Sequence, residues 1–190
     1  MAVNSTMLSL GTPAPPFSLP EPLTGRSVSL EDYAGRALLV MFICNHCPYV
    51  QHVRPGLVQL GRDYHDTDLG MVAISANDAE AYPDDAPDRL AREARTHGYP
   101  FPYLYDQSQQ VARAYRAACT PDFFLFDAAH RLVYRGRFDE SRPGSGVPVT
   151  GADLRRALDA VLAGREVPSE QLPSLGCSIK WRPGNEPSYG

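Results

Sequence analysis

Residues 37–44 read ALLVMFIC, a continuous apolar run with no polar face. It is far too short for a membrane span, which takes roughly 18 apolar residues or more. A strand that is apolar on both sides must be covered on both sides. The run therefore predicts a central strand inside a sheet with helices packed on each face. A second run, LGMVAISAN from residue 69, has the same character and predicts a neighbouring strand.

The remaining segments fill in a layered α/β domain. FSLPEPLTGRSVSLEDYAG alternates around a glycine turn and predicts a β-hairpin, then a short helical turn from near Ser29. Between Asn45 and His65 the apolar positions Val50, Val53, Leu57, Leu60 and Tyr64 recur at helical steps. Pro55-Gly56 inside that pattern predicts a kink or break, because proline removes a helix hydrogen bond. DAEAYPDDAPD reads as an exposed acidic loop. A helix over 88–96 should stop at Gly98. A short strand near PYLYD, a helix over SQQVARAYR, and a strand–turn–strand in DFFLFDAAHRLVYRG follow, with the turn at 127–130. TGADLRRALDAVLAG is an amphipathic helix with Thr150 as N-cap and Gly164 as stop. Residues 1–164 are expected to form the domain. Residues 165–190, rich in proline and glycine, are expected to be a C-terminal extension packed on it with little regular structure.

Composition narrows the function. The net charge is -4, and no basic patch is dense enough for nucleic acid. Lys180 is the only lysine, and the arginines lie in stretches that look like solvated helix faces. The N-terminal MAVNSTMLSLGTPAPP has neither a charged start nor a long apolar core, so a cytoplasmic location without membrane contact is expected. There, four cysteines are catalytic or metal-binding more readily than a structural disulfide framework.

Two of the cysteines close the first apolar run, in CNHCPYV. If a helix starts just after Cys44, its free N–H groups and dipole favour a thiolate there. Cys47 follows about one turn later and can attack a mixed disulfide at Cys44. Pro48 falls in the first turn, where a missing N–H costs little. A protonated His46 would favour the thiolate further and make the disulfide more oxidising. The bland alternative is two small residues ending a buried strand, but a strand–helix junction is where redox chemistry places such a pair. A metal site needs about four ligands. Cys119, Cys177, His46, His52 and His130 show no metal-like spacing, so no metal and no organic cofactor is expected.

GTPAPPFSLPEPLTGRSVSLEDYAGRALLVMFICNHCPYV resembles the opening of the redoxin branch of the thioredoxin superfamily. ACTPDFFLFD resembles its cis-proline loop, and CNHCPYV with the tail GCSIKW is similar to a bacterial subgroup of thioredoxin-like proteins. The likeness covers roughly residues 8–163. It implies a thioredoxin-like three-layer α/β/α sandwich with a mixed central sheet and an N-terminal β-hairpin. It implies catalysis by Cys44 and Cys47, with Pro121 in cis and the backbone at Thr120 facing the disulfide and pairing with substrate. Three departures stand out. Ile43 replaces the family's tryptophan. No Asp or Glu lies between Tyr33 and Arg62, so proton transfer must use water, His46 or a residue elsewhere. The Asn45-His46 dipeptide resembles that of an oxidising disulfide oxidase rather than of thioredoxin.

The resulting expectation is a thiol–disulfide oxidoreductase, a monomer or weak homodimer. It would act on a thiol- or disulfide-bearing substrate and draw on a separate redox partner. Two alternatives stay open. A peroxiredoxin-like peroxidase would use Cys47-Pro48, but Cys44 stands where that family needs a threonine, and Arg113, Arg116 and Arg135 compete for the arginine's role. A metal-binding redoxin-fold protein would use the cysteines with a histidine such as His130. Cys119 and Cys177 are possible additional redox residues. Cys119 adjoins the Thr120-Pro121 loop. Cys177 sits in an isolated Gly-Cys-Ser-Ile-Lys-Trp cluster that would fold back on the domain, with Ile179 and Trp181 as anchors.

Overall fold

The computed structural model describes residues 2–189. Its strands are β1 (Ala2–Asn4), β2 (Ser18–Pro20), β3 (Ser27–Ser29), β4 (Ala37–Phe42), β5 (Leu69–Ser75), β6 (Tyr103–Tyr105), β7 (Cys119–Thr120), β8 (Asp122–Phe126), β9 (Leu132–Gly136) and β10 (Leu175–Ser178). Its helices are α1 (Pro48–Asp63), α2 (Pro87–His97), α3 (Gln110–Ala114) and α4 (Ala152–Leu162). Short 3-10 turns cover Leu30–Tyr33 and Pro83–Asp85.

The central sheet runs β6-β5-β4-β8-β9. β4, β5 and β6 are parallel, and β8 and β9 are antiparallel additions, so the sheet is mixed. Every residue of β4 and β5 is buried, as their unbroken apolar runs require. Alternate side chains serve opposite faces. Leu39, Met41 and Ile43 pack with Val50, Val53 and Leu57 of α1, Leu90 of α2 and Leu154 of α4. Leu38, Val40 and Phe42 pack with Phe17, Leu19, Val28, Val111, Tyr115 and Ile179. The three layers follow, and the fold is thioredoxin-like.

Several local expectations are refined. α1 runs unbroken through Pro55, held by the buried side chains on both sides of it. Gly98 stops α2 in the left-handed conformation, φ 62°. The N-cap of α4 is Gly151 rather than Thr150. Asp139 does the capping from a distance, accepting the N–H groups of Thr150 and Gly151 at 2.7 Å each. The segment after α4 is mostly irregular, but it carries β10, which joins β1 and β7 in a small antiparallel sheet. Neither β1 nor β10 has a pattern long enough to read in the sequence.

Candidate functional site

β4 delivers the two cysteines to the end of the central sheet. The helix does not start after Cys44. Pro48 occupies the first helical position, and its fixed φ suits that place. Cys47 is therefore the N-cap of α1, and Cys44 lies upstream, just before a bend at Asn45 and His46. The expectation that Cys44 holds the helix terminus is corrected on this point. The bend is pinned by its backbone: Asn45 O accepts Gln51 Nε2 at 3.0 Å and Arg54 Nη2 at 3.3 Å.

Both sulfurs meet one residue. Cys44 Sγ lies 3.3 Å from Thr120 Oγ1, and Cys47 Sγ lies 3.1 Å from the Thr120 carbonyl oxygen. The Thr120-Pro121 peptide is cis, as the resemblance implied. Cys44 is 2% exposed and Cys47 is 0% exposed. The backbone of Thr120 is not free to take a foreign chain, because Cys177 of β10 stands opposite it in antiparallel register.

The two thiols are shifted in opposite directions. Hydrogen bonding from the Cys44 thiol, and then from the Cys177 thiol and the Val50 N–H, outweighs burial and holds Cys47 well below the usual thiol range. The Thr120 carbonyl is the opposing acceptor, and the donors outnumber it. Cys44 is pushed up by the hydrogen bond it makes to Cys47, by burial and by the Asp85 charge. Cys177 is pushed up by burial and by its thiol bond to Cys47. Cys119 is fully buried, which raises its thiol, and its sulfur faces the Pro121 carbonyl at 3.7 Å.

The carboxylate missing from the strand–helix segment arrives from elsewhere. Asp85 is 0% exposed although its loop reads as acidic and exposed. It accepts the Asn45 N–H at 2.7 Å and Asn77 Nδ2 at 2.8 Å, and pairs with His46 Nδ1 at 2.6 Å. The His46 ring stacks on Tyr82, with centroids 5.4 Å apart. β4 and β5 are parallel neighbours, so the loops after them emerge at the same end of the sheet. That topology was the available signal, since nothing in the spacing links residues 46 and 85. A second buried carboxyl, Asp122, lies on the far side of the loop beside Cys119, and neither of its oxygens has a hydrogen-bond partner. Burial raises its pKa strongly.

Among the described residues, Cys44, His46 and Asp85 form the one group whose ligand atoms all lie within 4.8 Å of one another. Their short contact is the His46–Asp85 hydrogen bond. His52 instead bonds Ser141 Oγ at 3.0 Å, and His130 bonds the Tyr33 carbonyl at 3.1 Å, both away from the cysteines. Of the arginines weighed for a peroxidase, Arg135 is engaged with Gln171 at 2.7 Å and Arg116 lies over the Tyr189 ring. Among the described residues, no helix is long and apolar enough to cross a membrane.

Residues 10–135 match the AhpC/TSA family. The chain is 33% identical over 114 residues to a Mycobacterium tuberculosis protein named "Putative peroxiredoxin", covering 60% of this chain and 68% of that one. It is 26% identical over 124 residues to the thiol-disulfide oxidoreductase ResA of Geobacillus thermodenitrificans, covering 65% and 67%. Among solved structures, an uncharacterized conserved protein of Geobacillus kaustophilus superposes with a TM-score of 0.95 at 55% identity, covering 97% of this chain and 98% of that one. A thioredoxin-family thiol:disulfide interchange protein of Chlorobium tepidum shares the fold with a TM-score of 0.62 at 21% identity, over 81% and 98%.

Proposed function

This chain belongs to the AhpC/TSA family, an oxidoreductase lineage working through thiols, and from that premise we propose that it is a thiol–disulfide oxidoreductase whose couple is Cys44–Cys47. One observation carries the reading: both sulfurs converge on Thr120, beside the cis peptide.

In the reducing direction, Cys44 Sγ attacks one sulfur of a substrate disulfide. Its proton passes along the thiol–thiol hydrogen bond to Cys47, and the first substrate thiolate leaves. Cys47, whose proton is weakly held, loses it to water and attacks Cys44 Sγ. The mixed disulfide breaks, the second substrate thiolate leaves, and Cys44–Cys47 remains. Two protein thiols are oxidised and one substrate disulfide is reduced. A separate thiol or disulfide partner restores the starting state. His46 and Asp85 hold the bend and keep a polar proton path next to Cys44. A cleft of about 230 Å³ beside Pro121, lined by Tyr49, His52, Phe123, Phe138 and Ser141, offers room for the substrate's flanking groups.

A peroxidase reading draws on two observations: Cys47 caps α1 with its thiol held low, and the M. tuberculosis relative bears a peroxiredoxin name. Titration in a glutathione redox buffer, with disulfides mapped by mass spectrometry, separates the two. The exchange reading expects a two-electron couple at Cys44–Cys47. Sulfenylated Cys47 and turnover of hydrogen peroxide, without that disulfide, would replace it with the peroxidase.

A further inference from the structure

The exchange couple accounts for two cysteines, yet three sulfurs share the site. Cys177 comes from the far end of the chain, and its position is fixed by strand register. β10 pairs with β7 so that Cys177 faces Thr120 and Ser178 faces Cys119. Directly opposed residues of an antiparallel pair project to the same face. Cys177 thus shares the face on which Thr120 holds Cys44 Sγ. It packs into the core cluster that contains both Cys44 and Cys47.

The approach of β10 is unusually close. A Cβ on Gly176 would lie 2.0 Å from the Thr120 carbonyl oxygen and 2.6 Å from its carbonyl carbon, so no other residue fits there without moving backbone. The residues after Cys177 tie the strand to the polar side of the site. Lys180 N–H donates to Asn77 Oδ1 at 2.8 Å, and Asn77 Nδ2 donates to Asp85. Asp78 N–H donates to the Lys180 carbonyl at 2.8 Å. Ile179 and Trp181 anchor on the opposite core. The GCSIKW cluster is therefore built into the site. Cys177 is also the least buried of the three, where Cys44 and Cys47 are nearly sealed.

Resting on the exchange reading, we infer that Cys177 is a third redox-active cysteine, which trades places with Cys44 as the partner of Cys47. The step is an internal exchange. The Cys177 thiolate attacks Cys47 Sγ of the Cys44–Cys47 disulfide, the Cys47–Cys177 bond forms, the Cys44–Cys47 bond breaks, and Cys44 leaves as the thiolate. Cys177 gives up a proton and Cys44 regains one. No electrons enter or leave. The swap moves the disulfide onto the more exposed Cys177. A thiol such as glutathione then attacks Cys177, and Cys47 departs. Thiolate stability at Cys47 makes it a good leaving sulfur in that last step, when the external thiol opens the Cys47–Cys177 disulfide.

The experiment equilibrates wild type, Cys44→Ser and Cys177→Ser with oxidised glutathione, quenches in acid and maps disulfides by mass spectrometry. Cys44→Ser is expected to form an intramolecular Cys47–Cys177 disulfide, and wild type to contain both pairings. Reduction of the oxidised protein by glutathione should slow roughly tenfold in Cys177→Ser, because the accessible sulfur is gone. The inference is overturned if Cys47 of Cys44→Ser carries only glutathione and wild type shows Cys44–Cys47 alone. The wild-type map keeps the test decisive should Cys44→Ser fold poorly. Failure of the exchange reading looks different: Cys177→Ser would then form no Cys44–Cys47 disulfide at any glutathione ratio.

Discussion

Cys119 and Cys177 make an instructive pair. Cys119 adjoins Thr120 in the chain, and Cys177 lies in the C-terminal segment, yet the distant one reaches the reactive sulfurs. The cause is the two-residue period of a strand. Thr120 points to Cys44, so its neighbour Cys119 points the other way, against the Pro121 carbonyl and near Asp122. Cys177 enters on the second strand of the pair, directly across from Thr120. Nearness along the chain therefore selects the wrong thiol, and register selects the right one.

The largest expected effect tests that contrast directly. Cys47→Ser should lower disulfide-exchange turnover by roughly a thousandfold or more, since the sulfur common to both pairings is lost. Cys119→Ala should leave turnover within about twofold, with a stability loss of about 1 kcal/mol from the small cavity. Turnover on a chromogenic disulfide reads both. Equal losses would show that Cys119 belongs to the reactive cluster and would break the comparison.

Gly176→Ala comes next. The added methyl must push β10 off the Thr120 backbone, at a cost of about 1–3 kcal/mol by analogy with overpacked sites. Urea unfolding should show that loss, and mapping after oxidation should show Cys47–Cys177 depleted while Cys44–Cys47 persists. Unchanged yield of Cys47–Cys177 would mean that the close backbone approach does not hold the third sulfur in place.

The contrast also marks what could be read in advance. Continuous apolar runs gave away β4 and β5, because a strand covered on both faces has no other composition. Helical periodicity located α1 through Val50, Val53, Leu57 and Leu60. The N-cap was legible but misread: proline favours the first helical position, so Pro48 already pointed to Cys47 as the cap. Asp85 was hidden by composition, since an acidic loop with prolines normally faces water, and this one turns the Asp85 carboxylate inward to meet Asn45, His46 and Asn77. β1 and β10 were illegible for another reason. Strands of three and four residues carry no usable alternation, and only their long-range pairing defines them.

A spectroscopic effect of intermediate size concerns the charge on Cys47. A group held below its ordinary pKa keeps its anion at lower pH than a free thiol does. The reduced protein should therefore show thiolate absorbance near 240 nm at neutral pH, well under the free-thiol value of about 9, and lose it on acidification. Cys47→Ser should lack this low-pH signal and Cys119→Ala should retain it. A signal that survives Cys47→Ser would assign the thiolate to another sulfur.

The smallest effect separates the two sides of the reactive cluster itself. Cys44 faces the Asp85 charge, whereas Cys47 faces thiols and backbone N–H groups. Asp85→Asn removes a negative charge that opposes ionisation of Cys44, while an amide can still accept the Asn45 N–H. The anion that Cys44 shares with Cys47 through their hydrogen bond gains in the reduced form, so the disulfide becomes more oxidising, by roughly 30 mV or a tenfold shift in the glutathione equilibrium. The shift should appear in the Cys44–Cys47 couple of a Cys177→Ser background and be much weaker for Cys47–Cys177 in a Cys44→Ser background. Cys44 Sγ lies within 4.8 Å of an Asp85 carboxylate oxygen. Equal shifts in both backgrounds would mean that Asp85 acts on Cys47, and the two pairings would then share one electrostatic environment instead of two.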